Sequence, residues 1–527
     1  MITPKWLENA VFYNVYPQSF YDSNGDGIGD LNGITEKLNY IKDMGFTAIW
    51  LNPFYESSYR DGGYDVTDFY KVGKRYGTNA DFKRLCTIAH QKGIKICVDL
   101  VAGHTSLECE WFKKSCCTEK NEYTNRYVWT DNWLNIYNGE CIGGYAQRNG
   151  AYMKNFFYCQ PALNYGFANI DEPSWQLPPE HPDCRETKRE LINIMEYWIT
   201  LGADGFRVDL AASLIKNDYD GRAIIKFWRE IRTIFDEKYP ECVLISEWSH
   251  PSQAIAAGFH IDFLIHAVFP AYTSLFRAED ERNVPRIFFG NSFFDTRGNG
   301  NIETFLNDYL DEYEKTKDRG FISIPTGNHD LARISYGRTN TELEVIFAFI
   351  MTMPGIPFVY YGDEIGMEYI PDMPSKEGGF TRTGSRTPMQ WKKGKNAGFS
   401  DGAKELLYLP VNENGVNVEE QLGDENSLLN KVKELIALRK TTQALSASGG
   451  IEFLNRKNGG YPLVYKRMSE NEQYLICINP SNEDKRFEME LCVDVIMQNG
   501  NIIEQGTHET LLKAKGAYAD LYYSQFA

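Results

Sequence analysis

Apolar residues along the chain gather in eight short runs: VFYNVYP (11–17), AIWLNP (48–53), KICVDLV (95–101), GFRVD (205–209), VLISEW (243–248), DFLIH (262–266), FISIPTG (321–327) and IPFVYYG (356–362). Each is mostly continuous and rich in β-branched and aromatic residues, the pattern of a strand covered on both faces. Between the runs the period changes to that of a helix. In KRELINIMEYWITLG, Leu191, Ile194, Met195, Trp198 and Ile199 share one stripe, and Gly202 is placed to end the helix. Strand alternating with helix predicts a parallel sheet, and eight such units predict an α/β fold, a (β/α)8 TIM barrel. A doubly wound sheet is the alternative, but no Gly-x-Gly-x-x-Gly follows the first run.

The spacing is uneven. About 100 residues separate the third run from the fourth, too many for one helix or a bare loop. Residues 105–170, rich in Trp, Tyr, Asn and Gly, are expected to form a small inserted domain at the functional end of the barrel. After about residue 440 the pattern becomes alternating short strands (GGIEFLNRKNGGYPLVYKRMS, NEQYLICINP) with Gly and Asn turns, an antiparallel β-domain. The expected division is barrel 1–104, insert 105–170, barrel 171–440 and C-terminal domain 441–527, with an atypical tail at 493–527.

Composition narrows the function. Of 527 residues, 43% are hydrophobic and 24% charged, a folded rather than a disordered chain. Lys and Arg number 55 against 72 Asp and Glu, a net charge of −17 that disfavours nucleic acid and anionic membranes as partners. MITPKWLENAVFYNVYP lacks the basic start and apolar core of a signal peptide, and no stretch has the length and apolarity of a membrane span. The 11 Cys are scattered, often inside apolar runs, which predicts free thiols in a reducing cytoplasm. Cys109 and Cys116-Cys117 lack the paired Cys-x-x-Cys spacing of a zinc site.

In a barrel the chemistry sits at the C-terminal ends of the strands. Asp209 closes GFRVD, Glu247 follows VLIS, and Asp330 follows FISIPTGNH; Asp65 lies past the second strand, Asp99 in the third and His104 just after it. A single carboxylate at a strand end is more often a cap or a surface charge. Several at corresponding places converge on one mouth, repel one another and raise at least one pKa. A protonated carboxyl beside an ionised one is the equipment for cleaving a glycosidic bond. Arg207, two residues before Asp209, points to the same side of its strand and is placed to keep Asp209 ionised.

The segments VFYNVYPQSFYDSNGDGIGDLNGI, GYDVTDFY, VDLVAGHTS, GADGFRVD, LISEW, TGNHDLAR, FVYYGDEIGM and SRTPMQW resemble the α-amylase superfamily, glycoside hydrolase family 13. The resemblance spans roughly residues 8–400 in order and is nearest the oligo-1,6-glucosidase, α-glucosidase and trehalose synthase branch. It implies Asp209 as nucleophile, Glu247 as general acid/base and Asp330 as the transition-state clamp. It implies Tyr64, Asp65, His104, Arg207, His329 and Arg333 around the terminal glucose. The expected activity is that of a retaining exo-acting α-glucosidase on short oligosaccharides such as isomaltose, maltose and sucrose-type α-glucosides. Transglycosylation or isomerisation, as in trehalose synthase or sucrose isomerase, is the alternative and uses the same residues.

Asp22-Ser23-Asn24-Gly25-Asp26-Gly27-Ile28-Gly29-Asp30 alternates oxygen side chains with tight-turn glycines, as a cation loop does. The resemblance implies a structural Ca²⁺, with Mg²⁺ as the alternative, held by Asp22, Asn24, Asp26, Asp30 and the Ile28 carbonyl. Three positions depart from the family pattern. Gly103 stands where an Asn is usual before the His, Ala162 stands for the Asp of QPDLN, and Leu210 follows Asp209 where Val or a smaller residue is usual. The segment 493–526 resembles the end of an ABC-transporter ATPase domain, although the chain holds no Gly-x-x-x-x-Gly-Lys-Ser/Thr loop.

Overall fold

Eight strands form one parallel sheet: β1 (Phe12–Val15), β2 (Ala48–Leu51), β3 (Lys95–Leu100), β4 (Gly205–Val208), β5 (Val243–Ser246), β6 (Ile261–Phe263), β7 (Phe321–Ser323) and β8 (Phe358–Tyr360). Their order is β7-β6-β5-β4-β3-β2-β1-β8, and the Thr326 amide just past β7 donates to Phe358 O at 3.0 Å, so the two ends of the sheet meet. The computed structural model describes residues 3–264, 270–276, 292–456, 458–487, 497–498 and 501–502. The end of the sixth predicted run, 265–266, and most of the 493–527 tail lie outside the described residues.

Seven of the predicted apolar runs contain their strands, trimmed where the chain bends into a loop, and the sixth strand begins one residue before its run, at Ile261. Every residue of β1, β2, β4 and β5 is buried, as continuous apolar runs require. The helix Pro182–Leu201 buries Leu191, Ile194, Met195 and Trp198 and leaves Ile199 partly covered; each full burial contributes roughly 1.5–3 kcal/mol. Gly202 ends it at φ 116°, a backbone conformation that a side chain would strain.

Register carries the strands' chemistry to one rim. Asp99 of β3 pairs with Arg207 of β4, and Val208 pairs with Ser246 of β5, so Asp209 and Glu247 leave the sheet side by side. The insert between β3 and β4 is loop-rich, with a helix at Glu110–Ser115 and a two-stranded ladder of Cys141–Ile142 with Tyr152–Met153. It has its own small core of Val128, Cys141, Ala151, Met153, Ala162, Phe167 and Trp175, five residues beyond the boundary expected at 170.

The C-terminal strands β9 (Gly450–Asn455), β10 (Leu463–Met468) and β11 (Gln473–Ile478) form an antiparallel sheet. Buried Arg467 of β10 clasps it to the barrel, and buried Arg439, on the preceding helix Leu428–Thr441, braces the same stretch of barrel chain. Arg439 donates to the carbonyls of Met351, Met353 and Gly355, and Arg467 to those of Thr352, Ser446 and Gly449. They satisfy carbonyls that the end of helix Asn340–Thr352 leaves open. Among the described residues no helix is long and apolar enough to cross a membrane, and all the described cysteines but Cys116, Cys117 and Cys477 are buried free thiols.

Candidate active site

One guanidinium organises the rim. Arg207 reaches Asp99 Oδ1 at 2.9 Å and Asp209 Oδ1 at 3.1 Å through Nη1, and Glu247 Oε2 at 2.8 Å through Nη2. Trp50 Nε1 and the Tyr64 hydroxyl donate to Asp99 Oδ2 at 3.1 and 2.9 Å. Leu210, held at φ 43°, turns its amide onto Glu247 Oε2 at 3.0 Å. That left-handed conformation costs a branched residue on the order of 1–2 kcal/mol, strain of the kind stored at functional sites.

Three carboxylates around one cation leave an excess of negative charge in a buried place, so a proton is retained. Burial and then the Glu247 carboxylate, within hydrogen-bond reach, push Asp209 well above the usual carboxylate range, against the opposing pull of Arg207. Burial also lifts Asp99, to about 6, with Arg207 holding it down. The protonation of Asp209 therefore depends on the charge of Glu247 beside it.

The facing wall carries Asp330. Burial alone would raise its pKa, but His329, Arg382, Arg386 and Arg207 hold it far below the ordinary range, fully ionised. Arg382 Nη1 and Arg386 Nη2 meet its Oδ1 at 2.7 and 3.1 Å, and His329 Nε2 lies 3.1 Å from Oδ2. The Asn14 amide donates to Asn52 Oδ1 at 3.0 Å, so the Asn52 amino group faces His329 Nδ1, also at 3.0 Å. Nδ1 therefore accepts and Nε2 carries the proton towards Asp330. Burial pushes His329 down to about 3, keeping the ring neutral. The ring lies between Tyr64, at 5.1 Å and 8°, and Tyr16, at 5.9 Å and 11°. This stack fixes Tyr64 as a flat wall of the pocket.

Asp209, Glu247, Asp330, Arg207, His329 and Tyr64 thus come together as expected. Asp65 does not face them. It accepts from the Ser57 and Ser58 hydroxyls and from the amides of Arg60 and Asp61, and so builds the loop that carries the site. Asp61, four residues earlier, faces the pocket instead, bonded to Arg382 Nη2 at 3.1 Å and Gln160 Nε2 at 2.8 Å. Arg333 turns to Asp363 and the Tyr361 carbonyl beneath the rim, because the arginines that neutralise Asp330 arrive from the loop after β8. His104 lies at the rim, with Nε2 3.1 Å from Tyr64 O and Nδ1 3.1 Å from the Asn155 amide nitrogen. Sequence reasoning missed Asp61, Arg382 and Arg386 as site residues. Arg386 was visible within SRTPMQW; which way the other two turn depends on loop geometry.

Ala162 is buried in the apolar core of the insert. In the 22–30 loop, Asp22 accepts from the amides of Asn24, Gly25 and Gly27 and from Ser400, while Asp30 accepts from Ser23 and caps a helix through Gly33. Among the described residues no three His, Cys, Asp or Glu side chains converge as a complete ligand set. Asp22 and Asp30 are buried at 4% and 3% exposure, and among the described ion pairs neither meets a Lys, Arg or His. A cation held by Asp22, Asn24, Asp26, Asp30 and the Ile28 carbonyl would neutralise the two buried carboxylates, in exchange for hydrogen bonds that now occupy both oxygens of each.

A parallel eight-stranded barrel with paired carboxyls at its C-terminal rim defines the class of barrel enzymes that act on glycosidic bonds. The alpha-amylase catalytic-domain profile matches residues 14–448, and the chain belongs to that family of glycoside hydrolases. It is 33% identical over 482 residues to the trehalose synthase/amylase TreS of Mycolicibacterium smegmatis, covering 84% of this chain and 77% of the relative. It is 30% identical over 560 residues to the oligo-1,6-glucosidase of Heyndrickxia coagulans, covering 92% and 94%. Among solved structures, an inactive double mutant of MutB superposes with a TM-score of 0.77 at 26% identity, covering 94% of both chains. The isomaltulose synthase of Erwinia rhapontici NX5 superposes with a TM-score of 0.74 at 26% identity, covering 91% of both.

Proposed function

We propose that the chain is a retaining, exo-acting α-glucosidase of short α-glucosides: isomaltose, maltose, sucrose-type sugars and small malto- or isomalto-oligosaccharides. The observation that carries this is the contact between Asp209 and Glu247 on the two ends of one guanidinium. Retaining glycosidases need such a short span, about 5–5.5 Å between carboxyls, whereas inverting ones leave room for water. In the proposed reaction Asp209 attacks the anomeric carbon while Glu247 protonates the departing oxygen. A glucosyl ester forms on Asp209 and the leaving sugar takes the proton. Glu247, now ionised, removes a proton from water, which attacks the ester with a second inversion. Asp330, kept ionised by two arginines, accepts hydrogen bonds from the sugar hydroxyls and faces the positive charge that grows on the ring.

The Gln160–Asp61–Arg382 bridge and the Phe157 and Phe380 rings, 5.6 Å apart, narrow the mouth, which supports action on chain ends. The buried free thiols suit the cytoplasm. Asp209→Asn is expected to lower turnover of a nitrophenyl α-glucoside by roughly 10⁴-fold or more; near-wild-type turnover would refute the assignment. Glucosyl transfer is the second reading, favoured by the likeness to TreS and MutB. Product analysis with a single disaccharide separates them: free glucose for hydrolysis, a rearranged disaccharide for transfer. A structural Ca²⁺ or Mg²⁺ in the 22–30 loop belongs to the same proposal. When bound it would neutralise Asp22 and Asp30 without entering the chemistry.

A further inference from the structure

Position 103 lacks the side chain that the sequence pattern leads one to expect beside His104, and the structure shows what fills the space. The three atoms nearest a Cβ built on Gly103 all belong to Asn155: Nδ2 at 2.7 Å, Cγ at 3.2 Å and Oδ1 at 3.4 Å. Gly103 is not among the glycines with positive φ, so its backbone conformation does not demand glycine. Its smallness serves the amide that arrives from the insert.

That amide has a fixed direction. Lys216 Nζ, which can only donate, lies 3.0 Å from Asn155 Oδ1, and the Ser213 hydroxyl donates to the same oxygen at 3.4 Å. Oδ1 is therefore the acceptor, and Nδ2–H points at His104 Nδ1 at 3.1 Å. Nδ1 must then be unprotonated, and Nε2–H donates to the Tyr64 carbonyl at 3.1 Å. The chain of bonds runs from the loop after β4, which also carries Asp209, through the insert and His104 to the loop holding Asp61 and Tyr64.

We propose that Asn155 is a positioning residue of this site. Its amide occupies the space left by Gly103, sets the His104 tautomer and ties the loop of Asp61 and Tyr64 to Lys216. The proposal rests on the reading of this pocket as the glucoside site, but its first readout is independent of turnover.

The experiment combines ¹⁵N NMR of histidine-labelled protein, with the His104 signal assigned through His104→Gln, and steady-state kinetics on a nitrophenyl α-glucoside. In the unsubstituted protein His104 is expected as the Nε2–H form. Asn155→Asp, which accepts where the amide donates and still pairs with Lys216, is expected to bring a proton onto Nδ1 while Nε2–H keeps its bond to the Tyr64 carbonyl, so that His104 is seen as the doubly protonated ring. Asn155→Gly is expected to leave Nε2–H on the Tyr64 carbonyl but free Nδ1 and loosen the ring, lowering kcat/KM by about tenfold or more. G103N alone is expected to lower it as well, since two side chains compete for one space. The double variant G103N/N155G is expected to return to within about threefold of the unsubstituted protein, the non-additivity of groups sharing one site. An Asn155→Asp protein in which His104 Nδ1 stays unprotonated, or a double variant no better than Asn155→Gly, would overturn the proposal. Absence of turnover in the unsubstituted protein would refute the α-glucosidase reading alone and leave the tautomer result to decide this one.

Discussion

Asp61 and Asp65 bracket the same turn, and their surroundings assign them different work. Asp65 accepts from two hydroxyls and two amides of its own loop. Asp61 joins Arg382 and Gln160 at the pocket wall. Asp61→Asn is therefore expected to lower kcat/KM by about 10–100-fold with little change in melting. Asp65→Asn is expected to lower stability by about 1–3 kcal/mol in urea titration, because it turns an acceptor-only group into one that also donates. Reversal of the two phenotypes would reverse the assignment. Strand-end placement singled out Asp209, Glu247, Asp330 and Arg207, and the family resemblance added His329. They did not separate Asp61 from Asp65, since the direction of a loop side chain follows from hydrogen bonds to neighbours distant in sequence. Asp99 offers a test of the electrostatics. Its carboxylate raises the pKa of Asp209, so removing that charge lowers the pKa. Asp99→Asn should move the pH profile of kcat/KM towards acid by roughly half to one unit; a shift towards alkali would contradict the charge sharing through Arg207.

At the scale of elements, strands covered on both faces were the easiest to read, because burial leaves them continuous apolar runs. The C-terminal hairpin was legible from turn residues such as Asn458, Gly459 and Gly460 between β9 and β10. The insert was legible as a domain but not in detail: its short ladder and isolated bridges lack a sustained period, and its core draws on Trp175 beyond the compositional boundary. The cation proposed for the 22–30 loop is tested through the stability of that element. Asp22 and Asp30 are buried without a basic partner among the described residues, so chelation should expose their mutual repulsion. EDTA is expected to lower the melting temperature by several degrees, the equivalent of about 1–2 kcal/mol, and Ca²⁺ or Mg²⁺ to restore it, with kcat at low temperature unchanged. An unchanged melt after chelation, with no metal found by elemental analysis, would remove the cation from the account.

Across the whole molecule, barrel closure could be read from eight repeats, but the contacts that complete the pocket could not. Asp330 follows β7, yet its cationic partners Arg382 and Arg386 come from the loop after β8. His104 follows β3, yet its tautomer is set from the insert and from a lysine after β4. Such pairings join separate segments of the chain, and local pattern carries no record of them. They converge on one pocket in which two carboxyls share an arginine. The most direct test is to follow by ¹H NMR the anomer first released from an α-linked glucoside, before mutarotation. Double displacement through Asp209 predicts α-glucose; β-glucose appearing first would mean a single inversion and would contradict the roles given to Asp209 and Glu247.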